Sequence, residues 1–307
     1  MKRFLIKTGL MVSPIILVAL VMEILLRLIP NDYRLKRNYL DNHAAEIETL
    51  VLGTSHSFAG FNPDYMSTKA FNAAYISQAL NYDVALFEKY QNQLINLKTI
   101  VLPMSYFTLY TTLEDGYEPW RLHKYVIYYG LDKAQTLSDY SELFSNKLNI
   151  NLERLSSYYV RGVSNITATE KGWNFADNSA HAQDLVETGK AAALRHTKDI
   201  HSASIRATYK KNVEILKSII TWGKTHHVNI ILVTTPAFET YRQNLNAEQL
   251  DETIETATAL ASAYNNCTYL NLLNDTNFVA KDYYDGDHLA ESGAQKLSLL
   301  LDNYLKK

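Results

Sequence analysis

The chain has 307 residues, 47% hydrophobic and 20% charged, enough to bury a full core and too apolar for a disordered or fibrous protein. Six Pro and eleven Gly exclude a collagen-like or Gly/Pro-rich low-complexity chain, and no repeat of solenoid period is present. The net charge of −2 is unevenly spread: residues 1–40 hold seven Lys/Arg against two Asp/Glu, leaving 23 basic and 30 acidic residues for 41–307, which speaks against nucleic acid as a partner of the body.

In chain order, Thr8 to Met22 runs fifteen residues without a charge. Apolar character resumes around Glu23 and Arg27 as far as Ile29, a stretch of 22 that at helical rise spans a hydrocarbon core. Glu23 and Arg27, four apart, pair on one helix face near the end of the span, and Pro30 closes the helix. Lys2, Arg3 and Lys7 form a basic flank that a cleaved signal peptide would share. Against cleavage, the run is long and no small-x-small site follows. The expectation is a single-pass anchor over 1–30, a polar connector over 31–47 and a body over 48–307 outside the cytoplasm. Arg34, Lys36 and Arg37 balance the flanks, so charge bias alone leaves the orientation open.

In the body, 48–53 reads as a buried strand running into Gly-Thr-Ser-His, and 69–72 as a second. A helical stripe (Val84, Phe87, Tyr90, Leu94) over 83–97 precedes a third strand at 99–103. Val213, Leu216 and Ile220 mark another helix before the strongest strand, 228–236. Leu250, Ile254, Ala257 and Ala261 mark the next helix, 268–272 a fifth strand, and 291–307 a final amphipathic helix. Strands alternating with helices imply an α/β fold, a three-layer, flavodoxin-like sandwich around a five-stranded parallel sheet with sites at the carboxyl ends of its strands. Residues from about 106 to 205 break the rhythm and read as a mostly helical insertion, either packing on the sheet or shaping a groove as a lid. Its aromatic residues, among them Tyr106, Tyr110, Tyr117 and Trp120, fit packing or a sugar-stacking wall.

Two segments carry candidate chemistry: Gly53-Thr-Ser55-His56 at the exit of the first strand, and Asp285-Gly-Asp287-His288 before the last helix. A hydroxyl nucleophile needs an adjacent base, and the base works best when a carboxylate fixes its tautomer. Asp285, three residues before His288 on a turn, reaches the Nδ1 side of that ring and leaves Nε2 to face Ser55. Asp287 reads as a poorer orienter because adjacency turns it elsewhere, and His56 as pointing away along the turn or assisting substrate binding. Either segment alone is ordinary turn and cap chemistry; the conjunction across the α/β pattern carries the reading. His196 and His201 lack nearby carboxylates at a metal-ligand spacing, so no metal is expected, and no glycine-rich phosphate loop or other cofactor signature is present.

With these residues in place, the chain resembles the SGNH (GDSL-like) hydrolase superfamily over roughly 48–105 and 210–305. Gly53-Thr54-Ser55 looks like its Gly-Asp-Ser block and Asp285-x-x-His288-Leu289 like its last block. The anchor and the Gly-Thr-Ser-His start are similar to membrane-tethered envelope members, such as the D-alanyl-transfer protein of teichoic acid synthesis and polysaccharide O-acetylation proteins. The resemblance implies Ser55 as nucleophile, His288 as base and Asp285 as its orienter, with Ser77, Ser105, Gly53 and His56 as oxyanion or substrate-binding candidates. The family's Gly-x-Asn-Asp block is absent; after Pro103 the chain reads Met104-Ser105-Tyr106. The implied function is a membrane-anchored serine acyl-transfer enzyme, an ester hydrolase or O-acyltransferase acting on an acylated envelope glycan or similar ester, with a membrane-bound acyl donor protein as partner. The alternatives are an inactive scaffold or glycan-binding protein of an envelope-assembly complex, suggested by the missing block, and a lipase-like enzyme held at the lipid surface.

Overall fold

A computed structural model describes residues 1–175 and 184–306. In chain order the helices are α1 (Lys2–Leu28), α2 (Asp32–His43), α3 (Ser55–Gly60), α4 (Leu80–Tyr90), α5 (Leu122–Lys124), α6 (Leu148–Leu155), α7 (Leu185–His196), α8 (Ala203–His226), α9 (Glu239–Gln243), α10 (Ala247–Ala263) and α11 (Glu291–Leu305). The strands are β1 (Thr49–Val51), β2 (Ala70–Asn72), β3 (Thr99–Pro103), β4 (Asn229–Thr234) and β5 (Cys267–Asn271).

The chain forms two compact units, one of Met1–Arg37 with Trp120–Ile166 and one of Asn38–Pro119 with Thr167–Lys307. In the first, α1 is long and apolar enough to cross a membrane, and most of its side chains are exposed except towards its C-terminal end. It ends at Leu28, where Ile29 turns extended (ψ 122°) as the residue before Pro30 favours, while Pro14 is accommodated within the helix. A buried ion cluster organises the rest of this unit: Glu142 accepts from Lys124 Nζ at 2.6 and 2.7 Å and from Arg154 at 2.8 Å. Burial and the neighbouring guanidinium lower Lys124 to about 8, with Glu142 opposing them.

Most of the connector expected over 31–47 is helical. Tyr33, Lys36 and Leu40 recur at three- and four-residue spacing and are all buried, so α2 has a core-facing stripe that its polar composition conceals. The residues read as one insertion, 106–205, are divided. Residues 120–166 group with the N-terminal helix, whereas 106–119, 167–175 and 184–205 group with the α/β unit. There the Trp173 indole donates to Ala59 O at 2.8 Å and Asn72 N–H to Lys171 O at 2.9 Å, tying the segment to α3 and β2.

The second unit is built on one parallel sheet in the order β2-β1-β3-β4-β5, the doubly wound arrangement expected from the sequence. Val51, Val101 and Ile231 are in register across β1, β3 and β4 and pack with Leu297 and Leu301 of α11. Leu50, Ile100, Ile230 and Leu232 alternate with them and are equally buried, on the face where Gly223 of α8 meets Ile230. Two covered faces explain why the strands are continuous apolar runs.

Candidate active site

The site begins where β1 ends. Gly53 has φ of 123°, in the region that favours glycine, and a Cβ there would lie 2.4 Å from the Pro103 ring. Its N–H donates to the buried Asp83 carboxylate at 2.8 Å, and Gln78 Nε2 donates to the same oxygen at 2.6 Å. Burial raises Asp83 to about 7, the two donors opposing it. Thr54 caps α3 by accepting from His56 N–H, which leaves Ser55 as the first helical residue at the carboxyl edge of the sheet.

Ser55 Oγ lies 2.8 Å from His288 Nε2, and His288 Nδ1 lies 2.9 and 3.0 Å from the two Asp285 oxygens. Asp285 Oδ1 also accepts the backbone N–H groups of Asp287 and His288, which fixes the carboxylate against the ring. With Nδ1–H donating to Asp285, Nε2 is the acceptor for the serine hydroxyl. The loop carrying these groups is pressed against α7. A Cβ on Gly286 would stand 2.2 Å from Gly189 Cα, and Gly286 N–H donates to Thr188 Oγ1 at 3.0 Å.

A second chain of the same chemical groups lies behind the first. His56 Nδ1 is 2.9 Å from Ser105 Oγ and His56 Nε2 is 3.1 Å from Asp287 Oδ2, all three residues being buried. The other Asp287 oxygen is 3.6 Å from His288 Nδ1, and His196 Nδ1 lies 3.8 Å from Oδ2 while accepting from or donating to Tyr241 OH at 2.9 Å. Burial pushes the Asp287 carboxyl up, but His288, His56 and His196 outweigh it and hold the group well below the usual carboxylate range. Burial keeps His56 below the ordinary imidazole value despite Asp287, and His196 well below it.

His56 therefore points into the core beneath His288, not along the turn. Ser105, a candidate oxyanion donor, is engaged by His56 and does not line the cleft in front of Ser55. Gly53 lends its N–H to Asp83 and shapes the turn. Ser77 does line the cleft: its φ of 58° is left-handed, its Oγ donates to Glu118 at 2.6 Å, and its backbone takes the geometry expected of a glycine. Neither its N–H nor that of Ser55 is engaged by another described residue. The contacts of Asp287 with His56 and His196 could not be read from sequence, because those partners lie 231 and 91 residues away; only the Asp-x-Asp-His doublet hinted at a second carboxylate.

The cleft has a volume of about 400 Å³ and is walled by Phe107, Tyr117 and Tyr284, with Arg195, Lys198 and Glu118 also lining it. Lys198 Nζ sits 4.8 Å from the centre of the Tyr117 ring. Among the described residues, the grouping compact enough for a metal ion is His56, Asp287 and His288, whose donor atoms lie within 4.8 Å of one another. Each imidazole is already hydrogen-bonded on both nitrogens, so an ion would have to dismantle both chains.

No family model matches the chain, and no curated protein matches it. Solved structures do. A Streptococcus pneumonia protein provisionally described as a platelet activating factor is 13% identical, with 97% of this chain and 99% of that chain covered at a TM-score of 0.43. A Bacteroides fragilis protein provisionally described as an acylhydrolase is 12% identical (87% and 94% covered, TM-score 0.41). A GDSL-like lipase from Bacteroides thetaiotaomicron is 11% identical (89% and 98% covered, TM-score 0.42). Likeness this distant carries no information about activity, and the chemistry rests on the chain's own geometry.

Proposed function

We propose that the chain is a membrane-anchored serine acyl-transfer enzyme of SGNH type, an ester hydrolase or O-acyltransferase. The observation that carries this reading is the continuous relay of hydrogen bonds from Ser55 through His288 to Asp285, opening on a cleft at the carboxyl end of a parallel sheet. Ser55 Oγ attacks the ester carbonyl while His288 Nε2 takes its proton. The tetrahedral oxyanion is met by the backbone N–H groups of Ser55 and Ser77. Collapse expels the alcohol, protonated by His288, and leaves an acyl group on Ser55. Water or an acceptor hydroxyl, deprotonated by His288, then releases it. The aromatic walls and cations of the cleft suit an acylated envelope glycan or similar ester, and α1 would hold the body at the membrane near such a substrate and a membrane-bound acyl donor. An inactive scaffold has no need of a hydroxyl held at 2.8 Å from a carboxylate-fixed imidazole.

A fluorophosphonate probe tests the reading: covalent labelling at Ser55 is expected in the wild-type protein and is lost in His288→Ala. Labelling that survives the histidine substitution, or that falls on another serine, rejects it.

A further inference from the structure

Within the N-terminal unit, residues 137–163 expose a run of large apolar side chains: Leu137 at 90%, Phe144 at 71%, Leu148 at 59%, Leu152 at 52% and Val160 at 80%. Leu148 and Leu152 stand one turn apart on α6, and exposure of this extent marks a surface with an apolar partner. The same segment grips the end of α1. Glu23 accepts from Ser141 Oγ and from the backbone N–H groups of Glu142 and Leu143; Arg27 donates to Tyr140 O; and Tyr159 OH donates to Leu25 O at 3.0 Å.

These contacts fix the depth of the segment. At 1.5 Å per residue, Thr8 to Leu28 covers about 30 Å, the thickness of a hydrocarbon core, so Glu23 lies about 8 Å inside its exit surface. An ionised residue at that depth needs partners, and the backbone of 141–143 supplies them together with Arg27. A segment that reaches Glu23 from the side must itself enter the bilayer, and its exposed leucines, Phe144 and Val160 are what lipid contact requires. Lys147 and Arg161, exposed among them, are long enough to reach headgroups.

We infer that residues 137–163 form a collar embedded with the base of α1 in the headgroup–acyl boundary of a lipid bilayer, so that the chain holds its membrane by a span and an interfacial platform together. This rests on the reading of α1 as a membrane span, and the test separates the two. Single cysteines replacing exposed side chains (Leu17→Cys, Phe144→Cys and Leu148→Cys) are labelled with an environment-sensitive dye in the full chain reconstituted in phosphatidylcholine nanodiscs. Cys267 can remain, since it is buried and burial pushes its thiol up to about 12. Nitroxide lipids then read depth. The expected result is severalfold quenching at 17 by a deep nitroxide and at 144 and 148 by a shallow one. Quenching at 17 with 144 and 148 indifferent would overturn the collar and leave the anchor standing. Indifference at all three would overturn both.

Discussion

Two hydroxyl–imidazole–carboxylate chains stand back to back in the α/β unit, and they differ in access, not in composition. Ser55, His288 and Asp285 border the cleft; Ser105, His56 and Asp287 are 2%, 5% and 3% exposed. Adjacent residues in sequence, Ser55 and His56, serve different chains, as do Asp285 and Asp287 two positions apart. The short α3 turn and the Asp-Gly-Asp loop thus each aim one group outward and one inward. A relay does chemistry only where a substrate can reach its hydroxyl, so the rear chain is a support: it fixes Asp287 beneath His288, where a carboxylate favours the imidazolium that would form if His288 took the proton of Ser55.

Substitutions can break this division. The largest effect is expected from Asp285→Asn, which keeps the shape but reverses the tautomer imposed on His288; turnover of an activated ester should fall by about 10⁴-fold with the melting temperature little changed. A loss of less than tenfold would mean that Asp287, 3.6 Å from the same nitrogen, is the working partner. Ser105→Ala should behave in the opposite way. It strands His56 Nδ1 in the core and should cost about 1–3 kcal/mol in chemical denaturation, while Ser55 stays reactive to a fluorophosphonate. Complete loss of labelling in a folded Ser105→Ala protein would show that the rear chain takes part in the chemistry.

The smallest expected effect concerns Asp83, the buried carboxylate that holds Gly53 and Gln78. Its folded-state value, about 7, is raised above that of an unfolded aspartate, so the folded protein binds the extra proton. Its contribution to stability is therefore present in full below about pH 4 and lost as pH rises to about 7. Thermal unfolding of wild type and Asp83→Asn across that window should give curves that converge or cross as pH rises, because the amide carries no such loss. Parallel curves would indicate that Asp83 is ionised throughout.

Much of the sheet was legible because its strands are short apolar runs bounded by turn residues: 99–103 is β3 to the residue, and 268–272 is β5 displaced by one. The helix expected over 83–97 forms over Leu80–Tyr90, since the Gln and Asn residues that follow turn the chain back towards β3. The meeting of Ser55, His288 and Asp285 was also legible, because strand order brings the first turn and the last loop to one sheet edge. The rear chain was not. It depends on a contact between His56 and Asp287, 231 residues apart, and on a histidine that α7 delivers from a segment with no strand periodicity. Nor did the pattern reveal α2, whose buried stripe includes a lysine.

The touching glycines at 189 and 286 have a consequence for how the loop carrying Asp285 and His288 can be altered. No side chain, not even a methyl group, separates those two backbones, so the helix acts as a backstop of zero thickness for the turn that presents Asp285 and His288. A shift of α7 towards the turn would press directly on the backbone next to Asp285. Grafting a different segment over 185–196 to change what the cleft accepts would therefore retune the relay at the same time.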